Sequence, residues 1–585
     1  MIHRLKEVRK ELGFNQTDFA KHLGITQTAY SMIENGNRPL ADKYVKVICS
    51  AFNVNENWFI TGEGEMFLSS PYEKEFIDIF SRLAPETQQY LLLMAKELLK
   101  TQERLLGIQG QTAGWRKRGR RFGMKGCAGE GFALRKAVRG CFSNDLGIHG
   151  IGDPFVLKTQ DGSYYLYCTS APDGFYCWRS EDLVHWTDRK MCYTRSSGSW
   201  GVDSFWAPEV VYFGGSYYMY YTARNAAGSL RIGLAISDRP DGPFLDKRNE
   251  PFFDFGYAAI DANVLIDEDG SKYLYYSRDC SENTGEDGIR RSEIYGIRLR
   301  EDMLATDGEA VRLLTPEQAW ELESGNPLWN EGPEMIKHGG RYYLTYSGNC
   351  FAGSAYSVGY AVAPEPLGPF VKAEENPVLT SQDRKDVSGT GHHSFTWSPD
   401  GTELWAAYHS HTFPDRPDGN RKVNIDRAGF TEKGKLYING PLTAFQPMPS
   451  GAGTVNVTGK FSAETAGRDA GFLVDGCISV YGNDEGMEQE IPAAEGSVTV
   501  ILTASEPVEL NRIAVFPGQA GFGAISSLKI VLDNELSSKE YVICDEDTVP
   551  LILDFRYIGE ENRSIVQLEG RRNEYRAFGN YVNKR

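Results

Sequence analysis

Along the middle of the chain, apolar and polar positions alternate in short runs broken by Gly-Gly or Asp-Gly pairs. The stretch WNEGPEMIKHGGRYYLTYS, residues 329–347, sets the pattern: an apolar run, the pair Gly339-Gly340, then alternating aromatics. Period-two alternation on both sides of such a pair predicts a β-hairpin. Sliding this unit along the sequence finds four more, turning at Asp161-Gly162, Gly214-Gly215, Asp269-Gly270 and Asp400-Gly401 and followed by YYLYCTS, YYMYYTA, KYLYYSR and ELWAAYH. In every copy the residue eight positions ahead of the pair heads the first strand: Asp153, Trp206, Asp261, Glu331 and His392.

Five copies with one offset read as a single supersecondary unit repeated, and heads spaced roughly 50 to 70 residues apart leave room for about four strands each. This predicts a five-bladed β-propeller over residues 144–449. The first strand of each blade would line a central channel, so the five heads would face one another. After Pro449 the runs VTGKFSAETAGRDAGFLVDG and VELNRIAVFPG predict short strands of a β-sandwich over 450–585.

The N-terminal pattern is different. Leu5, Val8 and Leu12, then Phe19, Ala20 and Leu23, then Ala29 and Ile33, then Val45, Ile48 and Phe52 recur at helical spacing over residues 1–66. Gly24 suits a tight turn and Thr26 can cap the helix that follows, which is the layout of a helix-turn-helix. A helical tail at 67–104 and a basic, Gly-rich linker at 105–143 complete the division. That linker serves as a flexible tether or marks a join between two reading frames. The fold class expected is therefore mainly β: a propeller and a C-terminal sandwich with a small all-α domain in front.

Composition agrees with several domains: 585 residues, 41% hydrophobic and 12% aromatic. Ten cysteines without paired spacing suggest neither a zinc site nor a disulfide framework. Net charge is −17, yet residues 1–145 carry 22 Lys+Arg against 16 Asp+Glu, so the head is basic and the body acidic. An acidic body has no electrostatic reason to bind nucleic acid, whereas the head does. No apolar run spans a membrane and the first residues lack a signal-peptide core, so a cytoplasmic location and no membrane partner are expected.

Three carboxylates, an imidazole and an indole around one mouth suit chemistry better than packing. Breaking a glycosidic bond needs one ionised carboxylate to activate water and one protonated acid to assist the leaving oxygen. A third acid can hold the donor's pKa up. Glu334 and His393, by the period of two, would turn away from the channel, and His409 and His411 would line or flank its end.

The strings GIGDPF, FWAPEV, AIDANVLID, NEGPEM and GTGHHSF, each opening a blade, resemble glycoside hydrolase family 43, whose members are five-bladed propellers that hydrolyse arabinosides and xylosides with inversion. The resemblance implies Asp153 as general base, Asp261 as pKa modulator and Glu331 as general acid. It implies Trp206 and Arg421 as sugar-binding residues and His392 beside a structural calcium, with no cofactor required for the chemistry. The substrate implied is an arabinose- or xylose-containing oligosaccharide. QTDFAKHLGITQTAYSMIENGNRPL resembles the Cro/phage-repressor class. That likeness implies operator DNA as a partner, with Gln27, Thr28 and Ser31 towards base edges and Asn37 and Arg38 near phosphate, and a homodimer. SAETAG, LVDG and PVELNRIAVF resemble discoidin-like, carbohydrate-binding sandwiches. The rival reading is a sugar-sensing DNA-binding regulator whose propeller binds without cutting.

Overall fold

The computed structural model describes residues 2–66 apart from 12–15, 17–18, 21–22, 24, 42–43, 46–47, 49–53 and 63–65. It describes residues 140–478 apart from 383, 444 and 466, and residues 497–583 apart from 505–507, 509, 518–524, 535–536, 544–550, 558–562 and 571–574. The expected helical tail at 67–104 and nearly all of the linker at 105–143 lie outside the described residues. The chain divides into two units, Met1–Glu130 and Gly131–Arg585.

In the first unit the helices α1 (Ile2–Glu11), α2 (Gln27–Glu34) and α3 (Glu56–Thr61) stand, among the described residues, around a core that includes Leu5, Val8, Phe19, Leu23, Ile48 and Phe59. Thr26 caps α2, its hydroxyl accepting the Ala29 N–H at 3.2 Å, and so satisfies one of the donors a helix start leaves orphaned. Tyr30 and Ile33 are fully in the core. Glu34 is buried and paired with Arg9 at 2.7 Å, an arrangement that ties α2 to α1. On the outer side of α2 and just beyond it, Gln27, Thr28, Asn37 and Arg38 are exposed and Ser31 is half-buried.

The second unit holds five antiparallel blades. Their innermost strands are His149–Lys158, Gly201–Phe213, Ala259–Ile266, Leu328–His338 and Gly391–Trp397, and their second strands are Tyr164–Thr169, Ser216–Asn225, Lys272–Arg278, Arg341–Gly348 and Leu404–His411. The tyrosine pairs on the second strands explain how blades hold together. Successive side chains on a strand point to opposite faces, so each pair serves two neighbours. Tyr221 packs between blades one and two while Tyr220 packs between two and three. Tyr276 packs with blade two and Tyr275 with blade four, and Tyr342 and Tyr343 divide likewise. The seam between blades five and one is filled by Trp405, Tyr164 and Leu166. A short latch closes the ring, with Cys141–Phe142 pairing against Gln446–Pro447.

After the propeller the described residues form two antiparallel sheets, one of four strands and one of six, in line with the sandwich expected over 450–585. Blade five is tied to this region by Asn439, which donates to Gly476 O at 2.8 Å and accepts from Ile478 N at 2.9 Å. Glu403 also accepts from Asn456 at 2.8 Å.

Each innermost strand is interrupted by a β-bulge, and the bulges set the true alignment of the blades. The register skips at Asp153-Pro154, Ala207-Pro208, Asp261-Ala262, Gly332-Pro333 and His392. The bulge residues Asp153, Ala207, Asp261, Gly332 and His392 all take positive φ, between 43° and 57°. For a non-glycine residue that conformation costs about 1–2 kcal/mol, so four such residues held in it mark a site the surroundings over-determine. Trp206 and Glu331, counted as strand heads from the turn pairs, therefore stand one residue ahead of the equivalents of Asp153. Blades two and four turn in two residues, Phe213 opposite Ser216 and His338 opposite Arg341, whereas the other turns are longer; counting back from the turn shifts those two blades by one.

Candidate active site

The bulges bring side chains from separate blades together. Asp153 Oδ1 accepts from Arg421 Nη1 at 2.7 Å and lies 3.4 Å from His392 Nδ1, and its Oδ2 accepts from Thr169 Oγ1 at 2.5 Å. Asp261 Oδ2 accepts the Gly332 N–H at 3.0 Å. Glu331, the residue before Gly332, accepts from the Tyr356 hydroxyl at 2.9 Å. The His392 ring lies against Gly332: a Cβ added there would meet it at 3.2 Å. His392 thus bridges the blade of the acid Glu331 and the carboxylate of Asp153.

A ring of second-strand side chains holds this arrangement. Thr169, Thr222, Ser277, Ser347 and His409 occupy equivalent positions, opposite Gly152, Trp206, Ile260, Glu331 and Gly391. Four of them accept the N–H of the next blade's bulge residue: Thr169 from Ala207 at 2.8 Å, Thr222 from Asp261 at 3.1 Å, Ser347 from His392 at 2.8 Å and His409 Nδ1 from Asp153 at 3.3 Å. Ser277 instead donates to Asn330 O, at 2.9 Å. The bulges free these N–H groups from the ladder, and a buried donor must find an acceptor. Because His409 accepts through Nδ1, its proton is on Nε2. Burial, then the Arg421 charge, pushes its pKa well down, so the neutral ring forms no ion pair with Asp153 despite a 3.6 Å approach.

Two glycines make room for the site's large groups. At Gly152 a Cβ would fall 2.0 Å from the Arg421 guanidinium, and at Gly391 one would fall 2.3 Å from the Tyr356 ring. Tyr356 stacks on His409 with ring centres 5.4 Å apart and 8° between planes. Arg421 starts the third strand of blade five and pairs with Ile151 across the seam to blade one, which delivers its guanidinium to Asp153. Its outer face lies 4.6 Å from the ring of Phe351, a residue 39% exposed beside the Arg421–Asp153 pair.

Electrostatics separate the three acids. Burial alone would raise Asp153, but Arg421 and then His392 outweigh it and hold this carboxyl below its ordinary range. Asp261 is raised to about 6 by burial and by the charge of Asp153. Glu331 is pushed well above its ordinary value by burial, then by Asp261, with the Tyr356 hydrogen bond opposing. The shifts thus favour the ionised form of Asp153 and the protonated form of Glu331 at one site, the pairing that acid–base catalysis needs.

The sequence-predicted residues Asp153, Asp261, Glu331, His392 and Arg421 meet here. Trp206 is half-buried and packs on Leu230, Ala258 and Ile260, at the seam of blades two and three. Glu334 departs from expectation. The bulge inserts one extra residue between Glu331 and Glu334, so both lie on one face of the strand, opposite Ser347 and Thr345. Glu334 is buried, accepts the Phe395 N–H at 2.8 Å and is raised to about 8 by burial. His393 is likewise buried, its Nε2 2.7 Å from Thr345 Oγ1. His411 bonds Phe351 O at 2.9 Å and supports that loop. Tyr356, Thr169, Phe351 and the two glycines were not singled out in the sequence. The prolines after Asp153, Ala207 and Gly332 were the available signal, since proline, lacking an N–H, suits a position outside the ladder.

A calcium near His392 finds no cage of hard oxygens: no group of three or more His, Cys, Asp or Glu among the described residues is placed to hold a metal ion. Direct ligation of calcium does not fit these residues.

Residues 2–65 match the model of a helix-turn-helix domain. A β-D-galactofuranosidase from Aspergillus niger is 28% identical over 294 residues, which are 47% of this chain and 78% of that protein. Xylosidase/arabinosidase 43A from Humicola insolens is 27% identical over 275 residues, 41% of this chain and 77% of that one. The crystal structure of a thermostable family-43 glycoside hydrolase is 47% identical, with a TM-score of 0.51, and the match covers 53% of this chain and 99% of that one. The model of glycosyl hydrolases family 43 matches residues 148–436. With its propeller, its three acids and this likeness to a solved member, the chain belongs to glycosyl hydrolases family 43 and is a glycosidase.

Proposed function

We propose that the propeller releases α-L-arabinofuranosyl or β-D-xylosyl groups from plant-type oligosaccharides with inversion. Asp153 acts as general base, Glu331 as general acid and Asp261 as the residue that keeps the acid protonated. The observation that carries this reading is the convergence of the two acids from separate blades, Asp153 paired with Arg421 at 2.7 Å and 3.4 Å from His392, whose ring lies against Gly332 beside Glu331. The opposite directions of their pKa shifts support it.

In the step proposed, Glu331 gives its proton to the glycosidic oxygen as the bond to the anomeric carbon breaks. Asp153 takes a proton from the water that attacks the same carbon from the opposite face. Arg421 and Thr169 fix both oxygens of Asp153 and leave lone pairs for that water. The Tyr356 hydroxyl orients Glu331. Inversion needs the two carboxyls about 6.5–9.5 Å apart, against about 5–5.5 Å for retention. The imidazole standing between Asp153 and the backbone beside Glu331 supports the wider spacing. No step draws on a metal.

The test is hydrolysis of p-nitrophenyl α-L-arabinofuranoside and β-D-xyloside. Asp153→Ala removes turnover, and Glu331→Ala lowers it by less on these substrates, because an activated aryl leaving group needs less help from the acid. If the wild type binds these sugars and cuts none of them, the sensor reading replaces this one.

For the N-terminal unit a second role is favoured by the exposure of Gln27, Thr28, Asn37 and Arg38 at the start and end of α2. These residues, with Ser31, would read operator DNA as a dimer. Replacing Arg38 by Ala should weaken binding evenly across sequences and lower the salt slope by about one. Replacing Gln27 should change sequence preference.

A further inference from the structure

Blade three carries a polar cleft of about 290 Å³ lined by Arg278, Arg291, Arg312, Glu293, Tyr295 and Asn283, among others. It lies at the same end of the blade as the acid. Arg278 closes the second strand one residue beyond Ser277, whose hydroxyl donates to Asn330 O next to Glu331. Across the sheet Arg278 stands opposite Glu293, and Tyr295 stands opposite Arg312. One face of three strands therefore builds the cleft beside the mouth of the channel.

The charges of this cleft do not cancel. Arg291 is held by Asp287, with Nη1 2.9 Å from Oδ1. Arg312 Nη1 bonds Glu293 Oε1 at 3.2 Å, and the other oxygen of Glu293 accepts from Asn283 at 2.9 Å. Both arginines and the acid are thereby compensated. Arg278 has no counter-ion among the described residues. Its guanidinium lies 4.5 Å from the Tyr257 ring centre, and its Nε is buried without an acceptor. Stacking fixes the plane of the group and leaves its terminal nitrogens for a partner lying in that plane. A half-buried guanidinium whose Nε donor is buried and unmet favours an oxyanion, and a planar one matches a carboxylate.

We propose that this cleft binds the carboxylate of an acidic sugar, a uronate unit carried on the oligosaccharide whose pentosyl group enters the channel. The inference rests on the glycosidase reading for the source of the ligand, while binding itself needs no turnover. One uncompensated arginine suits a singly charged group. The nearby Glu293 disfavours a doubly charged one such as phosphate. Asn283 and Tyr295 offer polar atoms to the sugar hydroxyls.

Calorimetry on the full chain with glucuronate, glucose and inorganic phosphate tests the proposal. Glucuronate should bind and glucose, at the same concentrations, should not. Arg278→Met should weaken glucuronate binding about 10- to 100-fold, as for loss of charge-assisted hydrogen bonds. Arg278→Lys, which keeps the charge without the fork, should fall between, and matching melting temperatures establish that both variants fold. Glucuronate affinity unchanged in Arg278→Met, phosphate binding at least as tightly as glucuronate, or no glucuronate binding at all overturns the proposal. Wild-type turnover of a p-nitrophenyl pentoside, which has no acidic branch, reports separately on the glycosidase reading.

Discussion

Replacing Asp261 by Asn removes a charge while keeping the oxygen that accepts the Gly332 N–H at 3.0 Å. In the wild type, burial and then the Asp261 charge keep the proton on Glu331. A neighbouring charge within about 4–6 Å shifts a carboxyl by about 1–3 pKa units, down when it is opposite in sign and, taken at the same size, up when it is like, worth about 1.4–4 kcal/mol at about 1.36 kcal/mol per unit. The sign is fixed: without the negative neighbour Glu331 ionises more easily, so its pKa falls. Burial remains, so it stays above the ordinary carboxyl value. The alkaline limb of kcat/KM should therefore move about one to two units lower in Asp261→Asn, in line with that range, and the titration near pH 6 that belongs to Asp261 should disappear. The assay is the pH profile of kcat/KM on p-nitrophenyl α-L-arabinofuranoside, repeated with a dinitrophenyl leaving group that needs no proton, for which the limb should flatten. An alkaline limb that stays in place while the plateau drops would refute the reasoning, because burial alone would then be holding the proton.

Three further outcomes follow from the same geometry. Thr169→Val removes the hydroxyl that joins Asp153 Oδ2 to Ala207 N; kcat should fall about 10- to 100-fold, as for loss of a hydrogen bond to a charged group, with KM nearly unchanged in steady-state kinetics. Glu334 is raised to about 8 from 4.5, so its folded form prefers the proton and stability is lost as pH rises from about 4.5 towards 8; urea unfolding of Glu334→Gln should show a decline between pH 5 and 8 shallower by a few kcal/mol, and equal declines in both proteins would contradict this. Phe351→Ala removes the exposed ring over Arg421; a contact of about 1 kcal/mol predicts a loss of about fivefold in kcat/KM, carried mainly by KM.

Much of this architecture is legible in the sequence because it repeats. The aromatic runs and the glycine turns offer five copies to compare, and on the second strands, where the ladder is regular, the aromatics pack as the period of two implies. The sequence pattern misleads where the ladder is irregular. A bulge adds one residue without any change in hydrophobicity, so the period of two puts Glu334 on the wrong face and the turn offset puts Trp206 and Glu331 one residue early. Aligning on Pro154, Pro208 and Pro333 instead of on the turns would have put Ala207 and Gly332 beside Asp153. Tyr356 and Phe351 belong to the connection after blade four's second strand, where no period exists to place a side chain. The arginine of the cleft, Arg278, ends a repeat, and only the three-dimensional pairing reveals that Glu293 and Arg312 satisfy each other and leave it alone.

The central claim is that Asp153 and Glu331 act on opposite faces of one sugar, the first on water and the second on the leaving oxygen. Proton NMR recorded during the first minutes of hydrolysis, before the free sugar equilibrates, tests it directly. The account predicts that the first-formed sugar has the anomeric configuration opposite to that of the substrate. First release of the same anomer would contradict it.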